Sequence, residues 1–126
     1  MNYNFPRQAR LLTQNDFRRV YRYGTKLLVP PLYVRARERP DNVVDDEPVG
    51  KRSRLGLSIG RRVGPAHVRN RWKRAIREAF RLHRHTLPGA YDLVVGVEWD
   101  APPEDSGEVE KAFIQLTEKL RSSVES

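Results

Sequence analysis

Residues 55–80 read LGLSIGRRVGPAHVRNRWKRAIREAF, a short strand pattern followed by a turn and a long helix pattern. At the start, three apolar residues alternate with small ones, the period of a strand with one apolar face. These residues are Leu55, Leu57 and Ile59. Gly64-Pro65 then interrupts the pattern, and we predict that Pro65 takes the first helical position, where its missing N–H has no partner anyway. The helix is predicted to continue to about Arg84.

This predicted helix has two chemically different faces. At 100° per residue, the apolar side chains fall on one broad arc and the polar and cationic ones on the opposite arc. The apolar arc holds Val68, Trp72, Ala75, Ile76, Ala79 and Phe80. The opposite arc holds Asn70, Lys73, Arg74, Arg77, Arg81 and Arg84. One face is therefore expected to pack on a core, and the other to form a stripe of cations.

Toward the N-terminus, the chain predicts one helix and two strands. Thr13 can cap a helix, with Asp16 returning the bond three residues later, and Gly24 ends it. Alternation over residues 32–37, just after two prolines, predicts a half-buried strand. A shorter strand is predicted over residues 26–29.

Toward the C-terminus, the chain predicts a connection, a strand and a helix. Residues 38–53 carry prolines, a glycine and several acids, which indicates an exposed connection. Residues 92–97 form a nearly continuous apolar run typical of a central strand. A last amphipathic helix follows an acidic loop, and its apolar residues are Val109, Ala112, Phe113, Leu116 and Leu120. The order predicts a single α+β domain over residues 1–126, a sandwich in which helices cover a small sheet, with flexible ends at 1–9 and 121–126.

Charge is unevenly distributed along the 126 residues. The net charge is +8, but residues 50–85 hold 12 basic and 1 acidic side chains, whereas residues 86–126 hold 3 and 9. A charge that served only solubility would not need this segregation, whereas a phosphate-binding face would. The distribution favours a polyanionic partner.

Three absences in the sequence narrow the class of protein. No apolar run approaches the roughly 18 residues of a membrane span, and the first ten residues lack the apolar stretch of a secretory signal. The chain has no cysteine, which excludes disulfides and thiolate chemistry. We expect a soluble cytoplasmic protein.

Residues 61–74 combine three features that bind RNA. A glycine-flanked helix start offers backbone N–H groups and a partial positive charge to phosphate. Arg69, Arg71 and Arg74 can bind phosphate oxygens bidentately, and Asn70 can both donate and accept. Each feature alone is common, so the helix by itself leaves RNA, DNA and acidic proteins open as partners.

The ordered combination resembles a family. A basic pair, a glycine, an alanine, then Arg69-Asn70-Arg71-x-Lys73-Arg74, Arg77-Glu78 and Phe80 is similar to the bacterial ribonuclease P protein. The resemblance is specific over residues 55–80 and extends more loosely over residues 7–120. It implies an αβββαβα fold with an uncommon left-handed βαβ crossover around the basic helix. The general rule would favour a right-handed one.

The resemblance also implies function. In this family a separate catalytic RNA, using Mg²⁺, removes the 5′ leader of precursor tRNA endonucleolytically, and the protein improves substrate binding and metal affinity. For this chain we expect no catalytic residues, no metal site, no membrane contact and no small-molecule substrate. By position, contacts to the catalytic RNA are implied for Arg61, Arg62, Arg69, Asn70, Arg71, Lys73, Arg74 and Arg77. A cleft for the single-stranded leader is implied at Phe17, Tyr21, Tyr33 and Arg35. Aromatic faces stack on unpaired bases, and arginines hold the backbone between them.

Two other functions compete with this interpretation. A stand-alone ribonuclease would need an acid–base pair or metal-binding carboxylates, yet the three histidines (His67, His83 and His85) have only Glu78 as a nearby carboxylate in sequence. The acids of residues 45–47 and 100–105 could hold hydrated Mg²⁺, but acids clustered in loops are usually only solvated. A general RNA-binding or ribosomal-type protein is the second alternative, although no helix-turn-helix spacing, zinc-ligand set or aromatic strand motif is present.

Overall fold

The computed structural model describes residues 13–39, 53–98 and 106–125. Within them lie three helices and four strands. They are α1 (Gln14–Tyr23), β1 (Thr25–Val29), β2 (Leu32–Glu38), β3 (Arg54–Ser58), α2 (Ala66–His83), β4 (Tyr91–Val97) and α3 (Ser106–Glu125). Short 3₁₀ turns flank α2 at Arg61–Val63 and Arg84–Thr86. The predicted α+β class and the αβββαβα order are confirmed.

The four strands form one mixed sheet in the order β1-β2-β4-β3. β2 pairs antiparallel with both β1 and β4, while β3 runs parallel to β4 and reaches it through α2. All seven residues of β4 are buried, as the apolar run predicted for a central strand. The left-handed crossover remains an expectation of the resemblance, because strand order and direction do not define the hand.

Alternation of side chains gives the sheet two different faces. On the face that we call the core face, Val34, Leu55 and Val95 pack in one cluster with Trp72 of α2 and Phe113 of α3. The opposite face, which we call the open face, carries mostly polar or small side chains. Its members are Lys26 and Leu28 of β1, Tyr33, Arg35 and Arg37 of β2, Asp92, Val94 and Gly96 of β4, and Arg54, Gly56 and Ser58 of β3. α1 crosses this open face and contacts β2 and β4.

Helix α1 begins and ends as the sequence predicts. The Thr13 hydroxyl accepts a hydrogen bond from the Asp16 backbone N–H, and the Asp16 carboxylate accepts one from the Thr13 N–H, so the capping box is complete. Gly24 is the C-cap, and its N–H donates to the carbonyl of Val20.

Two predicted boundaries differ from the structure. Pro65 is the N-cap of α2 instead of its first residue, because its ψ of 169° is extended while its carbonyl accepts hydrogen bonds from the N–H groups of Val68 and Arg69. Strand β3 ends at Ser58, so Ile59 packs against the core from outside the strand. Of the predicted connection over residues 38–53, residues 40–52 lie outside the described part. Its ends belong to the sheet region, since Glu38 closes β2 and Ser53 is buried.

Candidate nucleic-acid interface

The outer face of α2 presents cations to solvent. Trp72, Ile76 and Phe80 are buried against the core face of the sheet, so the residues opposite them must point outward. We call these outward residues the α2 cation face: Asn70, Arg71, Arg74 and Arg77 are exposed, and Lys73 is half-buried. Within the three described segments, no acidic side chain pairs with any of its arginines. Their guanidinium groups are available to an external anion.

The stripe of cations is shorter in the structure than the sequence predicts, because its last two arginines have partners inside the protein. Arg81 donates through Nε to Oε1 of Glu78 over 3.1 Å. This hydrogen bond is the largest cause that lowers the pKa of Glu78 below its ordinary value. The guanidinium carbon of Arg84 lies 6.0 Å from the centroid of the Phe80 ring. The α2 cation face therefore ends near Arg77.

Arg69 stabilises the turn before α2. Its Nε donates to the carbonyl oxygen of Gly64 over 3.1 Å. Gly64 has a φ of +152°, which L side chains rarely adopt, and a Cβ there would lie only 3.0 Å from Cγ1 of Val68. Arg69 and Gly64 together shape the turn that delivers the chain into the helix.

Arg61 and Arg62 lie outside α2, in a turn that contacts it. They belong to the 3₁₀ turn after β3 and line a pocket of about 520 Å³. The pocket also contains Tyr33 from the open face of the sheet. Its remaining lining includes Lys26, Leu28, Val63, Val97 and Glu98. The structure thus divides the eight cationic and polar residues predicted to contact the catalytic RNA, and places two of them beside a residue predicted to bind the leader.

Helix α1 lies across the open face of the sheet, and we call the surface where the two meet the α1 groove. Tyr21, 42% exposed, lies on one wall, and the guanidinium carbon of Arg35 is 5.0 Å from its ring centroid. The Tyr21 hydroxyl donates to Oγ of Ser58 over 3.3 Å. Phe17 precedes Tyr21 by one helical turn and is half-buried, so both rings lie on the same side of α1. The side chains of Tyr33 and Arg35 come from the floor, which brings all four predicted leader residues to one face of the sheet.

Tyr33 owes its position on that floor to a glycine in the neighbouring strand. Tyr33 and Gly96 are direct partners across β2 and β4. A Cβ on Gly96 would overlap the Tyr33 ring, so the ring lies over the bare backbone of β4. This contact keeps the ring close to the sheet.

Helix α1 is held to the open face by an ion-pair network. Arg54 donates from Nε and Nη2 to the two carboxylate oxygens of Asp92 over 2.8 and 2.7 Å, and from Nη2 to Oδ1 of Asp16 over 3.3 Å. Burial by itself raises the pKa of Asp16, but the hydrogen bonds from Thr13 and the charge of Arg54 outweigh it, and the pKa lies below 3.8. For Arg54, the hydrogen bond to Asp92 is the largest cause that raises the pKa.

Several of these residues were missed by sequence reasoning. Asp92 could have been found from the sequence, because it is a carboxylate in an otherwise apolar central strand. A buried carboxylate of this kind requires a cationic partner. For Arg54, Ser58 and Glu98 the sequence carries no comparable signal. A further aromatic, Tyr23, was also missed: Arg22 and Arg37 lie 5.5 and 5.9 Å from its ring centroid.

Within the described segments, one histidine is paired with a carboxylate. His83 of α2 contacts Glu110 of α3, with 2.8 Å between Nε2 and Oε2, and this pair joins two helices. His67 and His85 are exposed. Among the described residues, no group of three or more His, Asp or Glu side chains is arranged to hold a metal ion. The acids of residues 45–47 and 100–105 lie outside the described segments. No helix in the described part is long and apolar enough to cross a membrane.

The fold and surfaces define a class of protein: a small α+β chain with a cationic helix on one side of its sheet and an aromatic, arginine-lined groove on the other. A family model described as Ribonuclease P matches residues 5–121. The chain is 33% identical over 106 residues to the ribonuclease P protein component of Natranaerobius thermophilus, covering 84% of each chain. It is 36% identical over 118 residues to that of Haemophilus influenzae, covering 93% of this chain and 87% of the relative. The solved ribonuclease P protein of Staphylococcus aureus superposes with a TM-score of 0.70 at 25% identity, over 87% of this chain and 93% of that one.

The chain belongs to the ribonuclease P protein family. The resemblance predicted from residues 55–80 is confirmed.

Proposed function

We propose that this chain is the protein subunit of a ribonuclease P holoenzyme, in which it binds the catalytic RNA and the 5′ leader of precursor tRNA. Membership of the family supports assembly with an RNA. We assign the two RNAs to different surfaces because the α2 cation face and the α1 groove lie on opposite sides of one sheet.

The α2 cation face is suited to a structured RNA. Its arginines are exposed, project from one rigid helix and have no acidic partner in the described segments, so they can pair with phosphates at fixed spacing. Such contacts position an RNA backbone and carry no sequence preference. We assign this face to the catalytic RNA.

The α1 groove is suited to a single strand. Tyr21 and Tyr33 offer ring surfaces to unpaired bases, and Arg35 adds a cation between them. Arg61 and Arg62 adjoin the same floor through the pocket they share with Tyr33. We assign the α1 groove to the leader, and infer that Arg61 and Arg62 serve RNA at the end of this groove.

The chemistry of cleavage is assigned to the RNA. No acid–base pair suited to hydrolysis is found among the described residues, and the Mg²⁺ that the reaction uses is proposed to be held mainly by RNA. The protein would strengthen binding of the substrate and thereby lower the Mg²⁺ concentration that cleavage requires. Cytoplasmic location follows from this role as part of the proposal.

Reconstitution tests the proposal directly. The purified chain is combined with its cognate ribonuclease P RNA, and leader removal is followed over a range of Mg²⁺ concentrations. We expect cleavage at a lower Mg²⁺ concentration than with the RNA alone, and none with the protein alone. Leader removal by the protein after all RNA in the preparation has been destroyed would contradict the proposal.

A further inference from the structure

We propose that Arg54 is a positioning residue for the α1 groove, acting through its simultaneous contacts with Asp92 of the sheet and Asp16 of α1. The inference rests on the proposed function of the groove as the leader site. It assigns a role in substrate selection to a residue that touches no RNA in that proposal.

The geometry of Arg54 suits it to join two elements. Its guanidinium plane engages both carboxylate oxygens of Asp92, and the same Nη2 also reaches Asp16. Asp92 is 1% exposed, so this carboxylate has a fixed position in the central strand. A planar guanidinium can serve two carboxylates at once, whereas a lysine ammonium lacks that planar fork. The network therefore fixes the position of α1 relative to β4, the most buried strand of the sheet.

Apart from the Asp16–Arg54 contact, the described polar and cation–ring contacts of α1 with the sheet lie in its C-terminal half, where Tyr21 contacts Ser58 and Arg35, and Tyr23 contacts Arg37. Asp16 and Val20 are its two buried residues. At its C-terminal end, the chain passes through Gly24 directly into β1, and Gly24 approaches the carbonyl of Ala36. Among the described contacts, the N-terminal half is therefore held by Asp16. Without that contact, the helix could pivot about Val20 and its C-terminal end.

Such a pivot would change the groove. Phe17 is the immediate neighbour of Asp16, and Tyr21 lies slightly more than one turn further on in the same ten-residue helix. Rocking of α1 would displace the Phe17 ring and tilt the Tyr21 ring, whose hydroxyl is bonded to Ser58, relative to the floor. Stacking depends on ring separation and orientation, so leader affinity should fall while the α2 cation face, on the other side of the sheet, stays unchanged.

The decisive variant is Asp16→Asn in the reconstituted holoenzyme. It preserves the volume and one acceptor oxygen at residue 16, and it leaves the Arg54–Asp92 pair intact, so the fold should survive; circular dichroism checks this. The measurement is the ratio of affinities for precursor tRNA and mature tRNA. We expect this ratio to fall about three- to tenfold, because a displacement of α1 by about an ångström would lose part of a stacking contact with the leader. Affinity for the catalytic RNA should not change.

Two controls separate positioning from general destabilisation. Thr13→Ala removes the hydroxyl of the helix cap but keeps the Asp16–Arg54 contact. Arg19→Met removes a second cation near Asp16, since Nη1 of Arg19 lies 3.6 Å from Oδ1 of Asp16. The Arg19 side chain is 56% exposed and does not join α1 to the sheet. Both variants should keep the wild-type ratio, and Arg54→Lys should lower it, because lysine keeps the charge without the planar fork.

The outcomes are distinct. An unchanged ratio in folded Asp16→Asn, or an equal fall in Thr13→Ala, would overturn the positioning role of Arg54. A wild-type holoenzyme that binds precursor and mature tRNA equally would instead refute the assignment of the α1 groove to the leader.

Discussion

At the scale of single residues, Tyr21 joins structure to the proposed function. Its ring receives the Arg35 guanidinium on one side, its hydroxyl donates to Ser58, and it remains 42% exposed. A purely structural tyrosine in so small a protein would be expected to bury more of its ring. The exposed part is the surface that a base can use.

Replacement of Tyr21 by alanine should weaken binding of precursor tRNA by about 1–3 kcal/mol, the cost of one lost stacking contact. Binding of mature tRNA should be nearly unchanged, since it has no leader. Tyr21→Phe is the matched control: it keeps the ring and loses only the hydrogen bond to Ser58, so precursor affinity should stay close to wild type. Equal losses for both tRNAs in Tyr21→Ala, measured by equilibrium binding to the holoenzyme, would show that Tyr21 is structural.

Residues of the groove differed in how far the sequence could predict them. Phe17, Tyr21, Tyr33 and Arg35 could be placed through the family resemblance. Tyr33 and Arg35 lie on the open face, and Phe17 and Tyr21 lie on the helix that crosses it. Arg54 could not be found in this way, because its partners are 38 residues away in opposite directions along the chain. A contact between such distant residues is decided only when the strands take their register.

At the scale of elements, α2 is the most predictable part of the chain. Its apolar and cationic residues repeat with the helical period over five turns, so local sequence alone separates the two faces. The structure shortened the cationic face, since Arg81 and Arg84 contact Glu78 and Phe80.

The α2 cation face gives a salt-dependence prediction. Arg71→Ala together with Arg74→Ala should change the free energy of unfolding by less than about 1 kcal/mol, because both side chains are exposed. Affinity for the catalytic RNA should fall, and the slope of log affinity against log salt should become shallower by about one for each lost phosphate contact.

The double variant Lys111→Ala with Lys119→Ala is the matched control, as it removes the same charge from the exposed surface of α3. It should leave the salt slope unchanged. Identical slopes for the wild type and the double arginine variant would show that Arg71 and Arg74 are only solvated and do not contact RNA phosphates.

Helix α1 gives a prediction about pH. In the unfolded chain, Asp16 takes up a proton as the pH falls through its ordinary pKa of 3.8, whereas the folded chain, with its lowered pKa, keeps the carboxylate ionised to lower pH. The stability contributed by Asp16 is therefore fully present above the ordinary pKa and is lost as the pH falls through the folded value. Urea unfolding between about pH 3 and pH 7 should show the difference between wild type and Asp16→Asn shrinking toward the acid end. A difference that is constant over this range would contradict the contribution of ionised Asp16.

At the scale of the whole molecule, the sheet separates the two proposed surfaces. Buried residues of β4 lie between α1 on the open face and α2 on the core face. Exposed side chains on opposite sides of the sheet share no partners, so a change on one surface should leave the other unaffected.

This separation predicts additivity. When Tyr21→Ala is combined with the double arginine variant, the losses in free energy of assembling protein, catalytic RNA and precursor tRNA should add to within about 0.5 kcal/mol, as for distant sites without shared partners. The measurement is a double-mutant cycle on the holoenzyme. A coupling well above that value would indicate that both surfaces bind the same stretch of RNA.

The sequence by itself determined the element types, the apolar core, the capping of α1 and the cationic face of α2, because each depends on residues within a few positions of one another. The tertiary structure alone decided which elements share a surface. It placed Arg61 and Arg62 around one pocket with Tyr33, and it joined Asp16, Arg54 and Asp92. These juxtapositions follow from strand order and register, which depend on contacts between residues far apart in the chain and leave no local periodic pattern for a sequence to display.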